Sequence, residues 1–278
     1  MFESVKGNKQ QEMIFPSKDA KRIIEYLDCP CETFEPTKDK QMLYEAYSST
    51  RKQGELEGFV PVIVVVSDHA DNLLEMMYSN VSVEYEAEHS IITPEFREKI
   101  NIYRQNLIQT ADAAKGKEFL DECLKEHQKF MDENSFESDD SFYTQPEGIE
   151  QQTNRVFAGW DSYISNLSHE IIIAKIPVIK PWEVIAWIPF GNWNECPSPE
   201  NMINIVKHWY EKYGAVPALI SSDILEMQVD SIINEKMADE LALEQLMFCS
   251  DIVYQGCGTV ENLAYILSKV NTWYFWWD

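Results

Sequence analysis

Three short runs in this chain are apolar at nearly every position: Val60-Pro61-Val62-Ile63-Val64-Val65-Val66, Ile171-Ile172-Ile173-Ala174-Lys175-Ile176-Pro177 and Thr272-Trp273-Tyr274-Phe275-Trp276-Trp277. Successive side chains of a strand point to opposite faces, so a strand that is apolar throughout needs cover on both sides of its sheet. None of the runs approaches the roughly 20 apolar residues of a membrane-spanning helix. They therefore predict a mixed α/β (α+β) fold, with a central mixed sheet flanked by helices. The third run, aromatic on both faces, reads as a buried central strand that locks the C-terminal fold. Seven of the eight tryptophans fall between Trp182 and Trp277, which places the densest core there.

Helical punctuation fills the spaces between these strands. Pro16-Ser17-Lys18-Asp19 opens a helix carrying Ile23, Ile24 and Leu27, which stops before Cys29-Pro30 because the residue before proline is pushed out of the helical region. A brief extended piece, Cys31 to Glu35, precedes a second helix from about Lys38 to Glu55. Asp68 to Asp71 offer a cap for a third, with Leu73, Leu74 and Met77 on its apolar side. One long helical stretch is expected from Thr93 through Leu124. Pro181 suits a short helix holding Val184, Ile185 and Ile188, with a strand through the same residues as the alternative. Ser198-Pro199 starts a helix that Gly214 ends, and Thr259 caps the last one. Between them, Ala215 to Ile220 reads as a strand, Ser221-Ser222-Asp223 as a tight reversal, and Leu225, Met227 and Val229 as the apolar face of a half-buried returning strand.

Four regions follow. Residues 1–16 read as a flexible segment, 17–90 as an α/β lobe, 91–168 as a helical insertion with an acidic linker, and 169–278 as a C-terminal α/β domain sharing one sheet with 17–90. Asp132, Glu133, Glu137, Asp139, Asp140, Glu147 and Glu150 stand in the linker with no Lys or Arg among them, the composition of a solvated segment.

A formal net charge of −24 repels phosphate backbones and anionic headgroups, so nucleic acid and membrane surfaces are poor partners. The N-terminus lacks the apolar core of a signal peptide, and six cysteines are too sparse for a disulfide scaffold, which fits a cytoplasmic location. Ten glycines form no phosphate-cradling loop, and no Gly-x-Ser-x-Gly or His-Glu-x-x-His motif occurs, so no cofactor is expected. Cys29 and Cys31 lack the second close pair that zinc needs, and no metal site is expected. A cysteine nucleophile would need a histidine base, and Cys249 with His208 or His169 is the pair to test; His208 reads as facing solvent.

Carboxylates make the stronger chemical case. Asp223 and Glu226 flank the tight reversal, Asp251 and Gln255 lie in an irregular loop from Cys249 to Gly258, and Asp278 is the last residue, with its own α-carboxylate beside it. Were these loops to meet Gly191-Asn192-Trp193-Asn194 at one sheet edge, they would enclose an acidic cleft rimmed by Trp193 and Trp276. The plainer reading makes Asp223 and Asp251 turn and cap residues and the tryptophans core.

The strings Gly191-Asn192-Trp193-Asn194-Glu195-Cys196-Pro197-Ser198-Pro199, Trp209-Tyr210-Glu211-Lys212-Tyr213-Gly214-Ala215, Phe248-Cys249-Ser250-Asp251 and the closing Trp273-Tyr274-Phe275-Trp276-Trp277-Asp278 resemble the bacterial domain-of-unknown-function family 4253. The resemblance covers about 169 to 278, more weakly Gly58 to Ile63, and nothing from 81 to 168. It implies a bacterial cytoplasmic protein and brings no catalytic residues with it.

Two functions fit these observations. In the first, a non-enzymatic, immunity- or antitoxin-like protein covers a basic protein partner with its acidic surface. In the second, an enzyme or small-ligand binder uses the cleft around Asn194, Asp223 and Asp251.

Overall fold

The computed structural model describes residues 15–37, 39–67, 69–81, 91–134 and 169–278. Most of the expected flexible N-terminal segment, and the acidic linker beyond residue 134, lie outside the described residues.

Six strands form one mixed sheet: β1 (Cys31–Thr37), β2 (Val60–Val66), β3 (His169–Ile176), β4 (Val216–Ile220), β5 (Ile224–Gln228) and β6 (Thr272–Trp276), in the order β1-β3-β2-β4-β5-β6. Neighbours are antiparallel except β2 and β4, which run parallel with Ile63 opposite Leu219. The doubly apolar runs behave as their pattern requires. Val62, Val64, Ile172 and Ala174 enter the larger core, whereas Ile63, Val65, Ile171 and Ile173 enter a smaller one. The smaller core is closed by Leu43 and Tyr47 of α2 (Lys40–Glu57).

The other face carries α1 (Lys18–Leu27), α3 (Ala70–Ser79), α4 (Pro94–Thr110), a 3-10 helix (Pro181–Ala186), α6 (Pro199–Tyr213), α7 (Glu235–Phe248) and α8 (Val260–Leu267). Between α4 and α6 in sequence, α5 (Ala113–Asn134) packs against α6 and α7. Ser17, Thr93, Ser198 and Thr259 cap their helices by accepting from the backbone N–H three residues on, and Gly214 closes α6 at φ 71°. His69 stands at the N-cap of α3 without a capping bond.

The expected long helix from Thr93 is two helices, broken at Ala111 and Asp112. Tertiary contacts reward the break: the Lys207 ammonium donates to Ala111 O (2.9 Å), and Asp112 N–H donates to Asn204 Oδ1 (2.7 Å). Gly116 then lets α5 lie directly on α6, since a Cβ there would stand 2.3 Å from Asn204 O. Arg104 of α4 is 3% exposed and donates to Tyr26 O and Leu27 O, satisfying carbonyls that α1 leaves open at its C-terminus.

Two strand expectations need correction. The aromatic run forms an edge strand, β6, paired with β5 alone among the described residues. Trp273, Phe275 and Trp277 are buried, while Tyr274 and Trp276 are half-buried. Apolarity on both faces reports cover above and below a strand and carries no information about its lateral neighbours. The returning strand β5 is buried throughout, with Glu226 wholly inaccessible between Leu219 and Tyr274 of the flanking strands. The expectation of a dense C-terminal core is met by Trp209, which stacks on Phe275 (5.4 Å between centroids) and meets Phe248 and Trp273 edge-on.

Candidate functional site

Because β2 and β4 are parallel, both deliver their carboxyl ends to the same margin of the sheet, and β6, two antiparallel steps from β4, ends there too. Crevices beyond the carboxyl ends of strands are where open α/β sheets bind ligands. A cavity of about 520 Å³ occupies this margin. One wall is a stripe of α3, from His69 at its start through Asn72, Glu75, Met76 and Ser79, positions that recur at helical spacing. The opposite wall comes from the turn Ser222-Asp223, from Gly191 and Trp193, and from Trp277-Asp278.

Local chemistry fixes each wall. Asp223 Oδ1 accepts from the Ser221 and Ser222 hydroxyls (2.8 and 3.1 Å), and Ser221 Oγ in turn accepts from Ile224 N–H (3.0 Å), which shapes the tight reversal. Gly191, Asn192 and Asn194 hold φ angles of 101°, 67° and 45°, and glycine and asparagine are the residues that tolerate this left-handed region. At Gly191 nothing larger fits, because a Cβ would lie 2.2 Å from Pro197 O. Asn80 of the α3 C-cap clamps this loop by donating from Nδ2 to Pro189 O (3.0 Å).

The three expected loops do meet, with Asp278 at the junction. Asn194 Nδ2 donates to Asp278 O (2.7 Å), Asp278 N–H donates to Asp251 Oδ2 (3.0 Å), and Trp277 N–H donates to Asp223 O (3.1 Å). The expected residues nonetheless divide between two cavities. Trp193, Asp223 and Asp278 line the one beside α3; Asp251, Gln255 and Trp276 line a second, of about 260 Å³, between β6, α7 and α8. Asn194 braces the junction, and Glu226 lines neither.

The loop from Cys249 to Gly258, read as irregular, contains a single π-helical turn, Ile252–Cys257. It also seals the C-terminal end of the β6 edge, where the Cys249 thiol donates to Trp276 O (2.9 Å). Burial pushes that thiol up to about 12, so Cys249 stays protonated and unsuited to nucleophilic attack. Neither proposed base serves it. His208 is half-buried rather than solvent-facing and bonds Glu244 Oε1 (3.3 Å), while His169 is buried in β3. Cys29 and Cys31 lie together at the start of β1, and among the described residues no group of three or more His, Cys, Asp or Glu side chains is arranged to hold a metal ion.

Glu244 shows what a structural carboxylate looks like in this protein. It is 5% exposed and accepts from Trp209 Nε1 (2.9 Å) and Lys212 Nζ (3.2 Å) as well as from His208. Burial pushes its carboxyl up, but the bonds from His208 and Trp209 and the nearby positive charges outweigh burial and hold it below its ordinary value.

Part of this site falls within a region that matches a known family. Residues 172–278 match the family described as Domain of unknown function (DUF4253). The DUF4253 region contributes the 191–194 loop, the Ser222-Asp223 turn and Trp277-Asp278, and it contains the whole of the smaller cavity. The α3 wall of the larger cavity comes from outside it. No curated protein and no solved structure matches the chain. Among the described residues no helix is long and apolar enough to cross a membrane.

Sequence reasoning missed the α3 wall. His69, Asn72 and Glu75 were legible as the polar side of an amphipathic helix, but that pattern is shared by every solvated helix face. Only the parallel pairing of β2 with β4 turns it toward Asp223.

Proposed function

We propose that the protein binds a small polar ligand carrying a cationic group in the cavity at the carboxyl ends of β2 and β4. One observation carries this reading: three separate loops and one helix face converge on a space of about 520 Å³ whose ionisable lining residues are His69, Glu75, Asp223 and Asp278. The volume falls within the range of small-molecule sites, roughly 300–1,000 Å³. Three carboxylates against one histidine favour a positively charged guest, and the half-buried Trp193 ring borders the space on its apolar side.

Titration with choline and agmatine, followed by calorimetry and thermal melting, tests the proposal. Binding that disappears in Asp223→Asn with Asp278→Asn supports it. Absence of binding to both probes, or equal binding by the double variant, counts against it.

A second reading, in which the acidic surface covers a basic protein, is supported by the net charge of −24 and the seven acidic residues from Asp132 to Glu150. Neutralising those seven and finding partner capture unchanged would remove it.

A further inference from the structure

Two thiols stand where α1 gives way to β1. Cys29 lies in the bend after Asp28, the C-cap of α1, and Cys31 opens β1 opposite Ala174, with the exposed Pro30 between them. Residues two apart in an extended segment point to the same side, and the fixed φ of proline narrows the arrangements open to the pair. The two cysteines are in contact: the Cys31 thiol donates to Cys29 O (3.4 Å), and the two thiols hydrogen-bond each other. Both are half-buried, packed against the larger core while keeping part of their surface open to solvent.

Their surroundings distinguish this pair from the other cysteines. Cys196, Cys249 and Cys257 are buried, and burial pushes each thiol up. Cys123 of α5 is half-buried, and burial together with Glu126 and Glu122 raises it too. Cys31 alone is lowered, because the bond from the Cys29 thiol favours its thiolate; the same bond and burial raise Cys29. The Arg104 guanidinium, anchored on Tyr26 O and Leu27 O, adds positive charge beside Cys29. A partly exposed thiolate with a cation nearby and a second thiol in contact is the setting of a redox-active pair.

We infer that Cys29 and Cys31 form a reversible oxidation site for hydrogen peroxide, with Cys31 as the attacking sulfur and Cys29 as the resolving thiol. The Cys31 sulfur attacks one peroxide oxygen and the O–O bond breaks. The departing hydroxide takes up the proton that Cys31 released and leaves as water, so that Cys31 becomes a sulfenic acid. The Cys29 sulfur then attacks the Cys31 sulfur; its thiol proton and the sulfenic hydroxyl leave as a second water when the S–S bond forms. Two thiols are oxidised and one peroxide is reduced to two waters. Cys29 sits outside both α1 and β1, so its backbone can follow the sulfurs from contact to the roughly 2.05 Å of a disulfide. The site stands apart from the proposed cation-binding cavity and does not depend on it.

The full chain is reduced, desalted and treated with a stoichiometric amount of hydrogen peroxide; thiols are counted after unfolding, alongside the intact mass and a disulfide map. Two of the six thiols are expected to be lost, the mass to fall by about 2 Da, and the bond to map to Cys29 and Cys31. Dithiothreitol restores both thiols. In Cys29→Ser, dimedone traps a sulfenic acid on Cys31. Cys31→Ser consumes peroxide more slowly by about tenfold or more, while Cys123→Ser matches the parent. Retention of all six thiols overturns the inference, as does a bond to any other cysteine or to a second chain. So does peroxide consumption by Cys31→Ser at the parental rate. Should Cys31→Ser not fold, the disulfide map of the parent chain decides on its own.

Discussion

Glu244 and Asp223 are both carboxylates at the margin of one aromatic core, and their surroundings are opposite. Glu244 is closed in by Trp209, His208 and Lys212, and its charge is used up in joining α6 to α7. Asp223 bonds two hydroxyls of its own turn and still faces open space shared with Glu75, His69 and Asp278. The difference separates two kinds of carboxylate: clusters whose groups are satisfied internally hold the helices together, and clusters that border a cavity have open space beside them.

The largest expected effect comes from removing what both carboxylates lean on. Deleting Trp273 to Asp278 takes Trp273 and Phe275 from Trp209, takes Phe275 and Trp277 from Phe248, and exposes β5, so the truncated protein is expected to be insoluble. A soluble truncation with a cooperative melt would show that the edge strand is peripheral.

Next comes Glu244→Ala, expected to cost about 1–3 kcal/mol in urea unfolding, because it leaves the buried Trp209 N–H without its acceptor while Lys212 keeps its ion pair with Glu240 (2.8 Å). Cation binding at the α3 cavity should survive in the folded fraction. Simultaneous loss of both would mean the two regions are coupled and the contrast fails.

Acidification provides a graded form of the same test. The folded Glu244 carboxyl lies below its ordinary value of 4.5, so the stability it supplies is complete above that value and is lost as pH falls through the lowered one. Denaturation midpoints measured from pH 6 downward should fall more steeply in the parent than in Glu244→Gln, on the order of 4.5 and below.

Cysteine chemistry gives a smaller, slower signal. With its thiol pushed up to about 12 and bonded to Trp276 O, native Cys249 should resist iodoacetamide at pH 8 and react once urea unfolds the chain. Rapid native labelling would reopen its candidacy as a nucleophile.

The smallest stability effect is expected at the cavity itself. Asp223→Asn keeps an acceptor for Ser221 and Ser222 and should change unfolding free energy by less than about 1 kcal/mol. A much larger loss would make Asp223 another Glu244, a structural carboxylate that happens to border a space.

Much of this was legible in the sequence because it is local. The helix starts near Ser17 and Thr93, the caps at Ser198 and Thr259, the stop at Gly214 and the turn at Ser221 to Asp223 follow from hydroxyls, glycine and proline within four residues of the groups they satisfy. The doubly apolar runs announced a covered sheet for the same reason, since strand periodicity is written residue by residue. Helix–helix contact was not legible: nothing in the 93–124 pattern shows that Asn204 and Lys207 hold the backbone at Ala111 and Asp112.

Amino-acid order alone thus determined where most of the helices and strands lie, that the sheet is covered on both faces, and that Trp193, Asn194, Asp223 and Asp278 lie in loops able to meet. Tertiary structure decided that β6 is an edge strand, that Glu226 is sealed inside, and that the expected cleft is two cavities divided by the bonds of Asp278 to Asn194 and Asp251. Periodicity records how each residue faces its own neighbours. Strand order and the closing of α3 against the Ser222-Asp223 turn depend on contacts across more than 100 residues of sequence, and no local pattern encodes them.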